Sequence, residues 1–199
     1  MSNIYISRSV KPKHQSGISL TELLLIVGVI AVASGGIFGA YAHVNGKRKI
    51  EDAVRHSNLI AENVNSAFIT GGDYAIAGLT QESAKLASIF PSDMLDGEGN
   101  PRSPWGGLVS ISSVAIGTLS DLGAAIEFDG VPAGSCTGFV SRAAPGFYAV
   151  SVNDQRLFEG FAAFDPARLV ELCNGATTAR VQFVHARYGG TLKAKPYAH

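Results

Sequence analysis

Charge is scarce in this chain. Only 16% of its 199 residues are Asp, Glu, Lys or Arg, against 46% hydrophobic, and the 16 basic residues balance 16 acidic ones. A chain without a basic excess has no electrostatic footprint for nucleic acid, so no nucleic-acid partner is expected. Cysteine is scarcer still. Cys136 and Cys173 are the two present, too far apart for a C-x-x-C redox or zinc motif. No G-x-S-x-G, P-loop or G-x-G-x-x-G pattern occurs, and none of the five histidines has metal-ligand spacing to another His or a Cys. His56 and His185 read as surface or packed residues. No catalytic residue, metal or cofactor is expected.

Acid is absent from the first seventeen residues, which carry Arg8, Lys11 and Lys13. Beyond them 13 basic residues face 16 acidic ones. Formal charge is then absent from Leu23 to Gly46, and Lys47-Arg48-Lys49 closes that stretch. About 20 apolar residues span a bilayer as a helix, so residues 23–44 read as a transmembrane segment. The basic leader favours a cytoplasmic N-terminus, while the basic triplet argues the other way. The leader weighs more, because the part after the span suits an oxidising space.

There the two cysteines have two readings: a disulfide, which such a compartment preserves, or two buried thiols. A bond would close a loop of about 38 residues and contribute roughly 3–4 kcal/mol in the chain-entropy account.

An ordinary secretory signal has a shorter apolar core followed by a small-residue cleavage site. Here the small residue, Gly17, precedes a long core. Cutting after it removes the leader and leaves the apolar helix on the mature chain. Glu22 stands at the head of that helix. A carboxylate at the bilayer centre costs about 2.5–3.5 kcal/mol on insertion scales. Glu22 therefore either lies at headgroup level, where an acid suits a helix N-terminus, or meets a partner.

Gly17 followed by "ISLTELLLIVGVIAV" resembles the type IV prepilin signal: glycine, a hydrophobic first mature residue, then Thr21-Glu22 ahead of a long apolar helix. The first mature residue would be Ile18 in place of phenylalanine, and the leader is longish. Both features place the resemblance with the type IVb class. "FPSDM", "WGG" and "CTGFVSRAAPGFYAVSVND" are similar to the thin-pilus, PilS-type subgroup. The resemblance implies cleavage between Gly17 and Ile18 by a prepilin peptidase, with N-methylation of Ile18. It implies that Thr21 and Glu22 act in assembly, Glu22 pairing with the N-terminus of a neighbouring copy. It also implies a cysteine pair, Cys136 and Cys173, bounding the C-terminal region. The implied partners are other copies in a helical fibre, an inner-membrane platform, an assembly ATPase and an outer-membrane secretin. The chain would be a single-pass inner-membrane protein with a periplasmic head before assembly, and part of an extracellular pilus after it.

The expected fold is α+β, a long N-terminal helix on an antiparallel sheet head with short helices. Residues 1–17 are the cleaved leader, 18–70 the helix and 71–199 the head. Ile50, Ala53, Val54, Ser57, Ala61, Val64 and Phe68 recur at helical spacing, with Glu51, Asp52, Arg55, Glu62 and Asn63 on other faces. Gly71-Gly72 stops the helix. Gly35-Gly36 and Gly39 inside it suit close helix packing in a membrane or local melting.

In the head, Thr80 caps a short helix that runs toward Pro91. Residues 91–104 form a loop, and residues 108–116 a strand with residues 124–128 as hairpin partner. A helix begins at Pro132 with Cys136, Phe139 and Val140 on one face. Residues 147–152 form a strand ending in an Asn153-Asp154 turn. Asp165-Pro166 opens a helix that Gly175 ends, and residues 178–188 form the last strand. Residues 155–164 give no clear signal. Asp93, Asp96, Glu98 and Asn100 crowd a glycine loop. A hard cation there is conceivable, though a solvated loop fits the spacing better. Phe147, Tyr148, Phe158, Phe161 and Phe164 read as core or subunit contact.

The leading reading is the major subunit of a type IVb pilus, serving adhesion or conjugative mating contact, with no enzymatic activity. A minor pilin or a type II secretion pseudopilin shares the N-terminal signal. A membrane-anchored enzyme or binding protein is the reading from another class.

Overall fold

The computed structural model describes residues 19–68, 76, 78–116, 119–160 and 162–186, with the side chains of 32–44 and 119–120 left out of the description. The chain divides into two compact units, Met1–His43 and Val44–His199. Helix α1, Leu20–Phe68, supplies the described part of the first unit and opens the second. The expected helix stop at Gly71-Gly72 lies outside the described residues.

In the second unit α1 buries a stripe on one side, Ala53, His56, Ser57, Ile60, Ala61 and Val64. This is the i, i+3, i+4, i+7 face of an amphipathic helix. His56 and Ile60 belong to it beside the residues expected from the pattern. It packs into one core with the inward side chains of a five-stranded antiparallel sheet.

The strands are β1, Val109–Ile116; β2, Leu119–Pro132; β3, Ala149–Val152; β4, Gln155–Glu159; and β5, Thr178–Ala186. Their order is β1-β2-β5-β3-β4, so the last strand lies in the middle of the sheet. Alternation sorts the two faces. Ile126 and Phe128 of β2, Val181 and Phe183 of β5, and Val150 and Val152 of β3 point into the main core. Ala125, Val184 and Ala149, which pair across three adjacent strands, form a smaller cluster with Val114 and Tyr148 packed against it. Phe128, Phe139 and Phe183 are fully buried and meet edge to face with ring centroids 5.1–6.1 Å apart.

Helix α2, Gln81–Leu86, is capped by Thr80 in a reciprocal box with Ser83. It stops well short of Pro91. The backbone turns at Ser88, φ 53°, which sends Ile89 and Phe90 into the core instead of continuing the helix. The 91–104 segment carries a 3-10 turn, Ser92–Met94, and its ends are held by isolated bridges Leu95↔Pro101 and Arg102↔Leu108.

Strand β2 runs well beyond the expected 124–128 at both ends. Strand β3 starts at Ala149, two residues later than expected, because Phe147 closes a 3-10 turn, Ala144–Gly146. Asn153 and Asp154 both have positive φ, 51° and 63°, as a tight hairpin of this hand requires. They lead into β4, which covers part of the stretch that was silent in sequence.

Helix α3, Ala133–Ala143, buries Cys136, Phe139, Val140 and Ala143. Helix α4, Pro166–Asn174, is capped by the Asp165 carboxylate, which accepts from the backbone N–H groups of Ala167 and Arg168, and it buries Leu169, Leu172 and Cys173. Cys136 and Cys173 are joined in a disulfide, with Cα atoms 5.7 Å apart, that ties α3 to α4.

Candidate assembly surfaces

At the start of α1 the Ser19 hydroxyl accepts from the backbone N–H of Glu22 at 3.2 Å, and the Ser19 carbonyl accepts from that of Leu23 at 3.0 Å. Ser19 therefore acts as the cap, and Ser19-x-x-Glu22 is the S-x-x-E pattern of a capping box. This pattern was readable in the sequence and starts the helix at Leu20, two residues beyond the expected Ile18. Thr21 shares a 2.8 Å hydrogen bond with Ser19. Glu22 is exposed in the first turn and makes no ion pair among the described residues. Gly17 and Ile18 lie outside the described residues.

Next come Leu20, Leu23, Leu24, Leu25, Ile26 and Val27, then Val29 and Ile30, all exposed, between 46% at Ile26 and 77% at Leu20. Consecutive residues cover every side of a helix. An all-round apolar helix is at home only inside a larger assembly or a bilayer. No helix among the described residues is long and apolar enough to cross a membrane. The side chains of 32–44, which complete the span expected over 23–44, are outside the described residues.

On the head, Asp93 and Asp96 of the 91–104 segment serve the protein's own cations. Asp93 Oδ2 accepts from Arg55 Nη2 at 2.6 Å and lies 3.1 Å from His56 Nε2. Hydrogen bonds from Arg55 and then His56 hold the Asp93 carboxyl down to about 2, and the same bond raises the Arg55 pKa. Asp96 accepts from the backbone of Asn100 and Glu98 and from Arg102 Nε at 2.9 Å. Its pKa is lowered, first by the Asn100 backbone bond and next by Arg102.

No group of three or more His, Cys, Asp or Glu side chains that could hold a metal occurs among the described residues. His56 is buried at 5% exposure, and its Nδ1 has no hydrogen-bond partner among the described residues. His185 Nε2 lies 3.1 Å from Asn65 Oδ1. His56 is packed and His185 is partly buried. The bridge from α1 to the 3-10 turn through Arg55, His56 and Asp93 had no sequence signal, because its partners lie 37 and 38 residues apart.

Phe147 is core, Phe158 and Phe164 pack against the core edge-on to each other, and Tyr148 lies on the smaller cluster. Phe161 falls outside the described residues. An exposed hydrophobic helix leading into a disulfide-tied α+β head is the plan of a fibre subunit, and solved structures show the same fold. TcpA, a type IV pilin from Vibrio cholerae El Tor biotype, aligns with TM-score 0.53 at 15% identity, over 70% of this chain and 99% of that one. A type IVb pilin from Salmonella typhi aligns with TM-score 0.52 at 15% identity, over 69% of this chain and 99% of that one.

A family model described as PilS N terminal matches residues 47–186. The chain belongs to the PilS family of type IVb pilins, structural subunits without enzymatic activity. A search of curated proteins finds no match.

Proposed function

We propose that this pilin is the major subunit of its pilus, made as a precursor cut between Gly17 and Ile18 and methylated at Ile18. Held as a single-pass inner-membrane protein by residues 23–44, it is then polymerised through its apolar helix. The observation that carries this reading is the run of exposed leucine, isoleucine and valine from Leu20 to Ile30. Burying such a run against other copies removes apolar area at about 25 cal/mol per Å². The run begins at Leu20, two residues past the cut, so processing leaves it intact.

Glu22 is the one charged side chain at its head. In the fibre core a lone carboxylate is costly and a paired one is tolerable, so pairing with the amine of Ile18 on a neighbouring copy sets axial register. The machinery expected from the family, prepilin peptidase, platform, ATPase and secretin, follows from this route. The head surface then carries adhesion or mating contact.

Replacing Glu22 with Ala tests the pairing. The variant inserts and is cut, and its yield of sheared fibres falls at least tenfold. A normal fibre yield removes the pairing from the mechanism.

A further inference from the structure

The uncharged stretch ends at Gly46, and the next three residues, Lys47, Arg48 and Lys49, are all cationic. All three are helical and exposed. On the head, arginines find carboxylates: Arg55 with Asp52 and Asp93, Arg102 with Asp96, Arg142 with Glu51, Arg156 with Glu159, and Arg180 with Glu127, Asp129 and Asp154. No ion pair among the described residues engages the triplet.

Consecutive residues step round a helix by about 100° each, so the three side chains fan over roughly 200° of its circumference. A protein lying along one face of a helix meets residues three and four apart. A fan of adjacent cations suits a partner that surrounds the helix. The following residues reverse the sign: Glu51 and Asp52 are exposed, and each is within ion-pair reach of an arginine of the head. The cationic ring is therefore thin, with uncharged residues on one side and acids on the other. A bilayer surface has the complementary layering, hydrocarbon and then anionic phosphate. Lys and Arg stems lie along apolar surface while their heads reach such phosphates.

We propose that Lys47, Arg48 and Lys49 form a collar that binds anionic phospholipid headgroups where α1 leaves the bilayer, holding the head at the leaflet until the subunit is extracted. The collar rests on the reading of residues 23–44 as a membrane span. It also accounts for cations on the translocated side, where the usual charge bias disfavours them.

The test uses the chain processed after Gly17, without the basic leader and its Arg8, Lys11 and Lys13, reconstituted in phosphatidylcholine bilayers doped with spin-labelled phosphatidylglycerol or spin-labelled phosphatidylcholine. Electron spin resonance reads the fraction of each label immobilised by the protein. One cation at a headgroup favours the anionic lipid by about fivefold. The wild type is expected to prefer phosphatidylglycerol by roughly threefold or more overall at low salt. The preference falls toward parity in about 0.5 M NaCl, where the screening length is a few ångströms. It falls likewise in the K47Q/R48Q/K49Q variant.

Equal preference in wild type and variant overturns the collar. So does a variant that keeps its lipid preference but forms no fibres, which assigns the triplet to a second copy of this chain. Absence of immobilised lipid with either label overturns the span itself, a different failure.

Discussion

Gly107 has no room for a side chain: a Cβ built there collides with the carbonyl oxygen and carbon of Asp129. The backbone around it is fixed on both sides, by the hydrogen bond from Ser103 N–H to the Gly107 carbonyl and by that from Asp129 N–H to the Leu108 carbonyl. Gly107→Ala is expected to destabilise the head by about 2–4 kcal/mol, the range of a severe backbone clash, read as a lower denaturant midpoint. Gly106→Ala also strains the chain, because Gly106 has φ 89°, but nothing lies within 4 Å of its Cβ position. Its cost is expected to be smaller, about 1–2 kcal/mol.

Asp93 is the second residue whose role is local. Its folded pKa, about 2, lies below its ordinary value. Its contribution to stability is therefore complete above about pH 4 and is lost as pH falls from there through about 2. The side chain is half exposed, so solvent screening limits that contribution to about 1 kcal/mol or less. Asp93→Asn should lower the melting temperature at neutral pH and lower it much less near pH 2. An equal loss at both pH values would show that the bridge to Arg55 and His56 is not the cause.

At the scale of elements, the sheet shows how one of its two edges is covered. Strand β1 is an edge, and Gln81 of α2 lies against it as a one-residue strand: its Nε2 donates to the Val109 carbonyl at 3.2 Å and its Oε1 accepts from the Ile111 N–H at 2.9 Å. The Leu79 carbonyl accepts from Ser113 N–H beside it. Edges covered in this way are poor templates for stray pairing. Gln81→Ala leaves two ladder groups unpaired and is expected to cost about 1–2 kcal/mol, measured by chemical denaturation. A change within experimental error would show that water replaces the amide.

Elements were legible in the sequence where their signals are local. The Thr80 and Asp165 caps, the Cys136-Phe139-Val140 face and the Asn153-Asp154 turn each depend on residues a few positions apart. Signals that depend on distant partners were not legible. The ends of β2 are set by its pairing with β1 and β5, and β4 is a strand only because β3 offers it an edge. Gln81 reads as an ordinary helix residue until β1 is placed beside it. At the N-terminal end of α1, the assembly role expected of Thr21 and Glu22 came from a motif alone, while the Ser19 cap, three residues before Glu22, was in plain view and was missed.

For the whole molecule, two features bear on life outside the cell. The disulfide closes a loop with a sequence separation of 37 between α3 and α4, worth about 3–4 kcal/mol in the chain-entropy account. From Leu20 to Ile30, α1 has exposed leucine, isoleucine and valine on every side, a patch that a free secreted monomer rarely carries. Both features suit the proposed route of the subunit from a membrane into a fibre. The measurement that bears on this most directly is the intact mass of the chain recovered from sheared fibres. A chain beginning at Ile18, heavier by one methyl group and lighter by the two hydrogens of the Cys136–Cys173 bond, is the expected result. A chain in the fibres that still begins at Met1, or that has lost residues 18–44, would contradict it.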